Sequence, residues 1–289
     1  MAFIAVGYFV KRKFDISPGY ISTPLIKVLL PLLVFFNVLD AEAQKLYILP
    51  VITFLLALGM VPAANFAYKR FAKESNPLLL RSSFSFFNIA FFGIPTITAL
   101  FGEDKVSTLI CIYLGSALYG DTIGYFQVAK TKLDVRGALK EVAKIPFLYV
   151  FIAAVICKVA GVEKPDSLES PLKIVSFAVS AAGMCIVGFN LADVDFKEFK
   201  WKYYINLLGF RTIAAILILG MLVAGEYFIF QSLEKEDYLM LALVPLFPVA
   251  ANVTVFASFL GSEEEQSSLL VFLSMLLSLI LVSLAALLF

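Results

Sequence analysis

The sequence has no histidine, only three cysteines and few charged residues, and each shortage excludes a class of function. Without histidine there is no Ser-His nucleophilic site, no H-E-x-x-H zinc site and no histidine proton relay. Cys111, Cys157 and Cys185 each lie in an apolar stretch without C-x-x-C spacing, which is typical of small buried residues rather than of a disulfide or zinc framework. A G-x-x-x-x-G-K-[ST] phosphate loop is also absent, so no ATP motif is available to drive the protein.

Apolar residues are as abundant as charged residues are scarce. Charged residues make up 16% and apolar residues 61% of the chain, against about 25% and about 45–50% in ordinary soluble domains. Apolar stretches of about 20 residues recur, and about 20 helical residues cross a bilayer core. About ten such stretches leave little room for a soluble catalytic or nucleic-acid-binding module, and the net charge of +1 indicates no polyanionic partner. We therefore predict an all-α polytopic membrane protein forming a single membrane domain over residues 1–289.

Apolar runs bounded by charged residues, proline or glycine predict ten spans. The first is short for a membrane helix, and the basic residues Lys11, Arg12 and Lys13 follow it rather than precede it, unlike the pattern of a signal peptide. We interpret it as a trimmed first helix or a misassigned start. The spans are predicted near residues 1–11, 21–39, 46–67, 79–101, 105–129, 146–161, 171–191, 203–224, 238–260 and 267–288.

Basic residues are divided unevenly between alternate loops. Fourteen fall on one side and six on the other, so the positive-inside rule predicts that the richer loops are cytoplasmic and that both termini lie outside the cell membrane. The acidic run Glu263–Glu265 also falls inside, but acidic residues weigh little in this rule. The fourteen are Lys11, Arg12, Lys13, Lys69, Arg70, Lys73, Lys130, Lys132, Arg136, Lys140, Lys144, Lys197, Lys200 and Lys202.

Short segments of the first half recur in the second at separations of 153 to 161 residues. Together they predict two five-span halves, residues 1–140 and 141–289, and an odd number of spans per half inverts the second copy. Inverted repeats are common in secondary carriers, whose sites lie near the midplane between the copies. The matched pairs are Val34–Asp40 with Val187–Asp193, Leu58–Met60 with Leu219–Met221, and Leu100–Glu103 with Phe259–Ser262.

The fourth and ninth predicted spans each carry helix-disrupting residues at mid-membrane depth. Proline lacks an amide donor and clashes with the preceding turn, so such spans tend to break and to free backbone groups. A single case is often a plain kink, but a matched pair favours a substrate site, where half-helix amino ends face an anion and freed carbonyls hold a cation. The predicted substrate-binding residues are Asn88, Gly93, Pro95, Pro248, Asn252 and Thr254, with Pro245 at the same depth.

The stretch Asn88–Pro95, together with the following Ala99–Gly102, resembles the fourth-helix motif of the auxin efflux carrier family, which includes bacterial malate and malonate permeases. Pro248–Asn252 with the final span resembles that family's ninth and tenth helices, and Gly183–Leu191 resembles the end of its seventh. Gly7-Tyr8 with the following basic cluster is similar to the end of its first helix. The resemblance covers nearly the whole chain, and the motifs in the fourth and ninth spans are the most specific.

The resemblance implies the fold that this family shares with the sodium/bile-acid symporters. In that fold, helices 1, 2, 6 and 7 form a panel domain, and the other six form a transport domain in which helices 4 and 9 cross. Carried over, it makes Asn88, Gly93, Pro95, Pro248 and Asn252 the crossover. The chain departs from the family in its short first helix, and its basic loop over residues 130–144 lacks the long insert of many plant members.

Asp121 and Arg211 lie deep inside predicted spans, and a charge at the bilayer centre costs about 3 kcal/mol or more and needs a role. Asp121 in the fifth span is a candidate to carry a coupling proton, because burial disfavours the charged form; a structural cap or pair near the cytoplasmic end is the alternative. Arg211 in the eighth span is a candidate charge partner for Asp121 or a fork that binds a substrate carboxylate, and a structural pairing is equally open.

We expect secondary active transport of a small organic anion, auxin-like or a dicarboxylate such as malate or malonate, with no enzymatic activity, metal or cofactor. Sodium-coupled symport of the bile-acid type is the alternative, although the ninth span offers only Asn252 and Thr254 to a cation. An intramembrane aspartyl enzyme would need two aspartates at one site, and no second aspartate lies at membrane depth to pair with that of Tyr119-Gly-Asp121. A channel or receptor is the remaining class. The expected partners are the organic anion and membrane lipid but no nucleic acid; proton or sodium coupling and a homodimer stay open.

Overall fold

The computed structural model describes residues 2–14, 16–41, 45–194 and 200–288. Helices, turns and one isolated β-bridge make up this part of the chain, with no β-strand in it. Within these ranges, six helices are long and apolar enough to cross a membrane, or seven if two helices bent by 45° count as one span. The all-helical, membrane-embedded, multi-pass class is thus confirmed. Met1 and Lys197, which enter the span and charge predictions, lie outside the described residues.

Helical segments run through all ten predicted apolar stretches, with breaks inside the fourth and the ninth. The described helices are α1 (Ala2–Phe14), α2 (Gly19–Asp40), α3 (Leu49–Arg70), α4 (Pro77–Ser85), α5 (Ile89–Phe101), α6 (Val106–Ala129), α7 (Val135–Lys144), α8 (Phe147–Val159), α9 (Glu169–Leu191), α10 (Trp201–Ile229), α11 (Lys235–Leu243), α12 (Asn252–Leu260) and α13 (Glu264–Ala285).

The basic segment interpreted as a loop over residues 130–144 is largely helical, which corrects that interpretation. Asp134 begins the helix as its N-cap: the Asp134 carboxylate accepts a hydrogen bond of 2.8 Å from the Gly137 amide. Asp is a favoured residue at this position because its side chain satisfies an amide that the first turn leaves free. Helix α7 therefore connects α6 to α8 and meets α8 at the 45° bend.

Two helices contain a widened π turn just before a proline. The turn Leu25–Leu29 precedes Pro31 in α2, and the turn Ile89–Gly93 precedes Pro95 in α5. A proline ring collides with the carbonyl of the preceding turn in a regular α-helix, and a π turn is one of the local adjustments that accommodate it. Both helices consequently continue through their proline.

The long helices differ in how much of their surface is covered by protein. In the most apolar part of α6, 72% of the residues are buried, whereas in α10 only 28% are. The exposed side of α10 carries Ile213, Leu217 and Met221. Lipid acyl chains are the solvent that matches such a face, so α10 lies at the periphery and α6 at the centre.

Helices α1, α2, α8 and α9 pack together as one group. Gly7 of α1 lies against the carbonyl of Cys185, and Gly188 of α9 lies against the carbonyl of Ile4, so closely that a Cβ at either glycine would collide with backbone. Small residues that let helix backbones approach are the usual basis of packing in membranes. At one end of the group, Lys158 Nζ donates to the Leu39 carbonyl at 2.6 Å and joins α8 to α2.

Candidate functional crossover

The two breaks in the helices meet each other inside the protein. The first comprises Phe86–Asn88 between α4 and α5, and the second comprises residues 247–251 between α11 and α12. Phe87 and Val249 form an antiparallel β-bridge, in which the Asn88 amide donates to the Pro248 carbonyl at 2.9 Å and the Ala250 amide donates to the Phe86 carbonyl at 3.0 Å. Backbone groups freed inside a membrane protein need internal partners, and here each break supplies them to the other.

The break in the fourth stretch does not lie at Gly93 and Pro95, which corrects the expectation that these residues interrupt the span. Both are inside α5, because the π turn Ile89–Gly93 accommodates Pro95. Gly93 has a packing role instead: a Cβ there would lie 2.9 Å from Cε2 of Phe247. Pro248, by contrast, lies in the second break, and its carbonyl is part of the bridge. Gly93 therefore still contacts the crossover, through the ring of Phe247.

Asn88, Asn252 and Thr254 are buried at the amino ends of the two helices that leave the crossover. The Asn88 side-chain oxygen accepts a hydrogen bond of 3.2 Å from the Phe91 amide and caps α5. The side-chain Nδ2 of Asn88 and the Thr254 hydroxyl have no hydrogen-bond partner within the described part of the chain. Buried polar groups are normally hydrogen-bonded, so each of these two groups leaves a hydrogen-bonding position unfilled in this conformation.

Asp121 reaches the crossover from α6. It lies in the π turn Gly120–Gly124, is 5% exposed, and accepts a hydrogen bond of 3.1 Å from the Asn252 side-chain amide. Its second carboxylate oxygen is buried and has no hydrogen-bond partner among the described residues. A carboxylate with one free buried oxygen is the kind of group that a proton or a small cation neutralises.

A small cavity of about 10 Å³ lies beside Asp121. This is about the smallest volume that holds one water molecule, and far below the roughly 300–1,000 Å³ of typical small-molecule sites. The cavity is therefore closed to an organic anion in this conformation. Its lining comes from α2, α12 and the start of α8, so it lies where the α1, α2, α8 and α9 group meets the crossover: Ile26, Leu30, Pro31, Ile145, Phe147 and Phe256.

Arg211 of α10 is 2% exposed and binds backbone carbonyls of both breaks. Its Nε donates to the Ser83 carbonyl at 3.1 Å, its Nη1 to the Phe247 carbonyl at 3.2 Å and its Nη2 to the Phe86 carbonyl at 3.5 Å. The guanidinium carbon lies 4.2 Å from the centre of the Phe87 ring. Carbonyls at helix carboxyl ends carry partial negative charge, so a cation is well placed here.

The ion pair between Arg211 and Asp121 that the sequence suggested is not formed in the described part of the chain. The donors of Arg211 are directed at backbone carbonyls, and the partner of Asp121 is Asn252. Asn88 and Pro248 thus lie in the two breaks, and Asn252 and Thr254 lie at the start of α12, with Asp121 hydrogen-bonded to this region from α6 and Arg211 bound to it from α10.

Two serines of the crossover were missed by the sequence reasoning. Ser274 of α13 accepts a hydrogen bond of 2.9 Å from the Val249 amide, and Ser258 of α12 accepts one of 2.8 Å from the Asn190 side chain of α9. The available signal was a single polar residue inside an apolar span, which in membranes usually faces another helix.

No three His, Cys, Asp or Glu side chains are grouped to hold a metal within the described residues.

A scan against protein-family models finds no match to this chain, and a search of curated proteins returns none.

Proposed function

We propose that this protein is a secondary transporter that moves a small organic anion across a membrane by alternating access at the crossover. The observation that supports this best is the pair of breaks that are hydrogen-bonded to each other, with the amino ends of α5 and α12 starting there. Half-helix amino ends carry partial positive charge, and in carriers with broken helices they face anionic substrate groups. The side-chain Nδ2 of Asn88 and the hydroxyl of Thr254, which have no hydrogen-bond partner among the described residues, add neutral donors beside them.

The arrangement of ten spans in two inverted halves, residues 1–140 and 141–289, is part of this proposal. Its support is the symmetry of the packing: α1 of the first half packs on α9 of the second, and α8 of the second packs on α2 of the first. An inverted repeat that exchanges spans 1 and 6, and spans 2 and 7, requires this pairing. The resemblance of the crossover motifs to auxin efflux carriers points to the same architecture.

Movement of the crossover helices against the α1, α2, α8 and α9 group is the proposed transport step. The boundary between the two passes through the cavity at Asp121, which is too small for an organic anion while it is closed. Few hydrogen bonds cross this boundary among those described; Asn190 to Ser258 is one. Sliding at this surface would open the cavity without breaking the bridge between the two breaks.

The position of Asp121 supports coupling to a proton or to sodium as part of the proposal. An ionised carboxylate hydrogen-bonded to the crossover would repel an anionic substrate, and in low-dielectric surroundings this repulsion is strong. Protonation of Asp121, or a sodium ion at its free oxygen, removes the repulsion. Sodium symport remains the second candidate, because Asp121 supplies the acidic oxygen that the ninth span lacks.

Counterflow in proteoliposomes tests the proposal. Vesicles preloaded with unlabelled malate or indole acetate should accumulate the labelled compound, since exchange against preloaded solute requires alternating access. Asn88→Ala and Asn252→Ala should each slow uptake about tenfold, the effect of losing one buried hydrogen-bonding group of about 1–3 kcal/mol. Asn206→Ala is the matched control, because Asn206 is exposed on α10. Normal counterflow in both crossover variants, or none with any small carboxylate, contradicts the proposal.

A further inference from the structure

Helix α7 has three distinct faces. At about 100° per residue, Val135, Leu139 and Ala143 lie in one arc, and Arg136, Lys140 and Lys144 lie in the adjoining arc. On the remaining side Ala138 is fully buried against the rest of the protein, and Glu141 and Val142 are partly buried. The helix is thus fixed to the protein by one face and presents two others outward, one apolar and one basic.

The apolar arc is uncovered. Val135 is 50% exposed and Leu139 is 55% exposed, and Ala143 is exposed beside them. α7 has ten residues, too few to cross a bilayer by itself, and the 45° bend before α8 separates it from that apolar helix. A short helix with an apolar stripe bordered by cations is typical of a helix that lies in the plane of a membrane interface.

The basic arc identifies the partner. Arg136 and Lys140 form no ion pair among the described residues, while Lys144 is paired with Glu141 at 2.6 Å. Two cations without protein counter-ions, next to apolar side chains, match a surface that offers phosphate groups immediately above acyl chains. An acidic protein would match the basic arc but would leave Val135 and Leu139 in water.

We propose that α7 is an interfacial helix that binds the anionic lipid surface of the membrane, with Leu139 at acyl-chain depth and with Arg136 and Lys140 at the headgroup phosphates. The position in the chain agrees with this. α7 directly links two apolar helices, α6 and α8, and is bent by 45° from the latter, so it is held at a membrane boundary. It also belongs to the basic-rich side, which the positive-inside rule assigns to the anionic cytoplasmic leaflet.

Depth-dependent fluorescence quenching tests the proposal on the full-length protein. Trp201 is the single tryptophan, so Trp201→Phe removes the background and Leu139→Trp places a reporter on the apolar arc. In bilayers with bromine on the acyl chains near the headgroup, Leu139→Trp should be quenched more strongly than Lys140→Trp, a matched reporter on the basic arc. Moving the bromine from phosphatidylcholine to the same fraction of phosphatidylglycerol should increase quenching of Leu139→Trp, because anionic lipid gathers at α7.

Arg136→Gln with Lys140→Gln should abolish that increase. Lys69→Gln with Arg70→Gln is the charge-matched control, since it removes two exposed cations from the end of α3, outside α7, and should preserve the increase. Equal quenching of the two reporters shows that α7 does not rest on the bilayer and overturns the proposal. So does an increase that survives the α7 variant, or one that the α3 control loses equally. Protection of Leu139→Trp from aqueous acrylamide only when cytosolic protein is added would also overturn it, in favour of a protein partner.

Discussion

Replacing Arg211 by methionine removes a side chain that binds carbonyls of both breaks. Methionine fills a similar apolar volume but has no donor, so the Ser83 and Phe247 carbonyls lose hydrogen bonds of 3.1 and 3.2 Å. The 3.5 Å bond to Phe86 is at the limit of hydrogen-bond geometry and adds little. Water is excluded from this position, since Arg211 is 2% exposed, so the carbonyls find no replacement donor.

The expected loss in the free energy of unfolding follows from these two bonds. Hydrogen bonds to a charged donor contribute about 1.5–3 kcal/mol each, so Arg211→Met should cost about 3–6 kcal/mol. Against a typical total of 5–15 kcal/mol this is a large share. At about 2 °C per kcal/mol, the melting temperature should fall by about 6–12 °C. Arg211→Lys keeps the charge but not the fork, reaches fewer carbonyls, and should lose about half as much.

Thermal unfolding of the detergent-purified protein, followed by size-exclusion chromatography of the heated samples, measures these shifts. Arg81→Met is the matched control, because Arg81 Nε donates to a single side-chain oxygen, that of Asn65, at 2.7 Å. Its shift should be clearly smaller. If Arg211→Met melts at the wild-type temperature, or no lower than Arg81→Met, Arg211 does not hold the crossover and the reasoning is refuted.

Three further predictions concern other parts of the protein. Asp121→Asn should leave the melting temperature nearly unchanged while uptake loses its dependence on a pH or sodium gradient; uptake that stays gradient-dependent assigns the coupling elsewhere. Gly188→Ala should lower the melting temperature because the added Cβ would collide with the Ile4 carbonyl. Gly220 has open space around it, so Gly220→Ala should leave the melting temperature unchanged or raise it. Equal shifts in the two variants would contradict the close packing of α1 on α9. The Glu236 carboxylate accepts a hydrogen bond from Lys105 and raises the pKa of Lys105 above its ordinary 10.5. The stabilisation by this pair is therefore fully present below pH 10.5 and is lost as the pH rises through the raised pKa. The difference in melting temperature between wild type and Glu236→Gln should shrink at strongly alkaline pH, and a constant difference would argue against the pair.

Composition and periodicity were enough to predict the class of the protein and the positions of its long apolar helices, but they missed the short helix α7. Apolar runs as long as a bilayer core are local features, and the solvent that matches them does not depend on the rest of the fold. The two breaks were predicted for the same reason, since proline and glycine act on their own turn. The residue range of the first break was wrong, because the π turn Ile89–Gly93 accommodates Pro95 and the helix begins only after Asn88.

The partners of the buried polar groups were decided by the tertiary structure. Arg211 was a reasonable partner for Asp121 by charge alone, but the carbonyls it binds become available only where two breaks about 160 residues apart meet. Asp121 is bound instead by Asn252, 131 positions away in the chain. Residue types predicted two broken spans and their candidate residues, and the family resemblance implied that these two spans cross. The packing of α6 and α10 around the crossover decided which polar groups are hydrogen-bonded to each other. A hydrogen bond is made or lost when the donor–acceptor distance changes by a few tenths of an ångström, and only the assembled helices determine that distance.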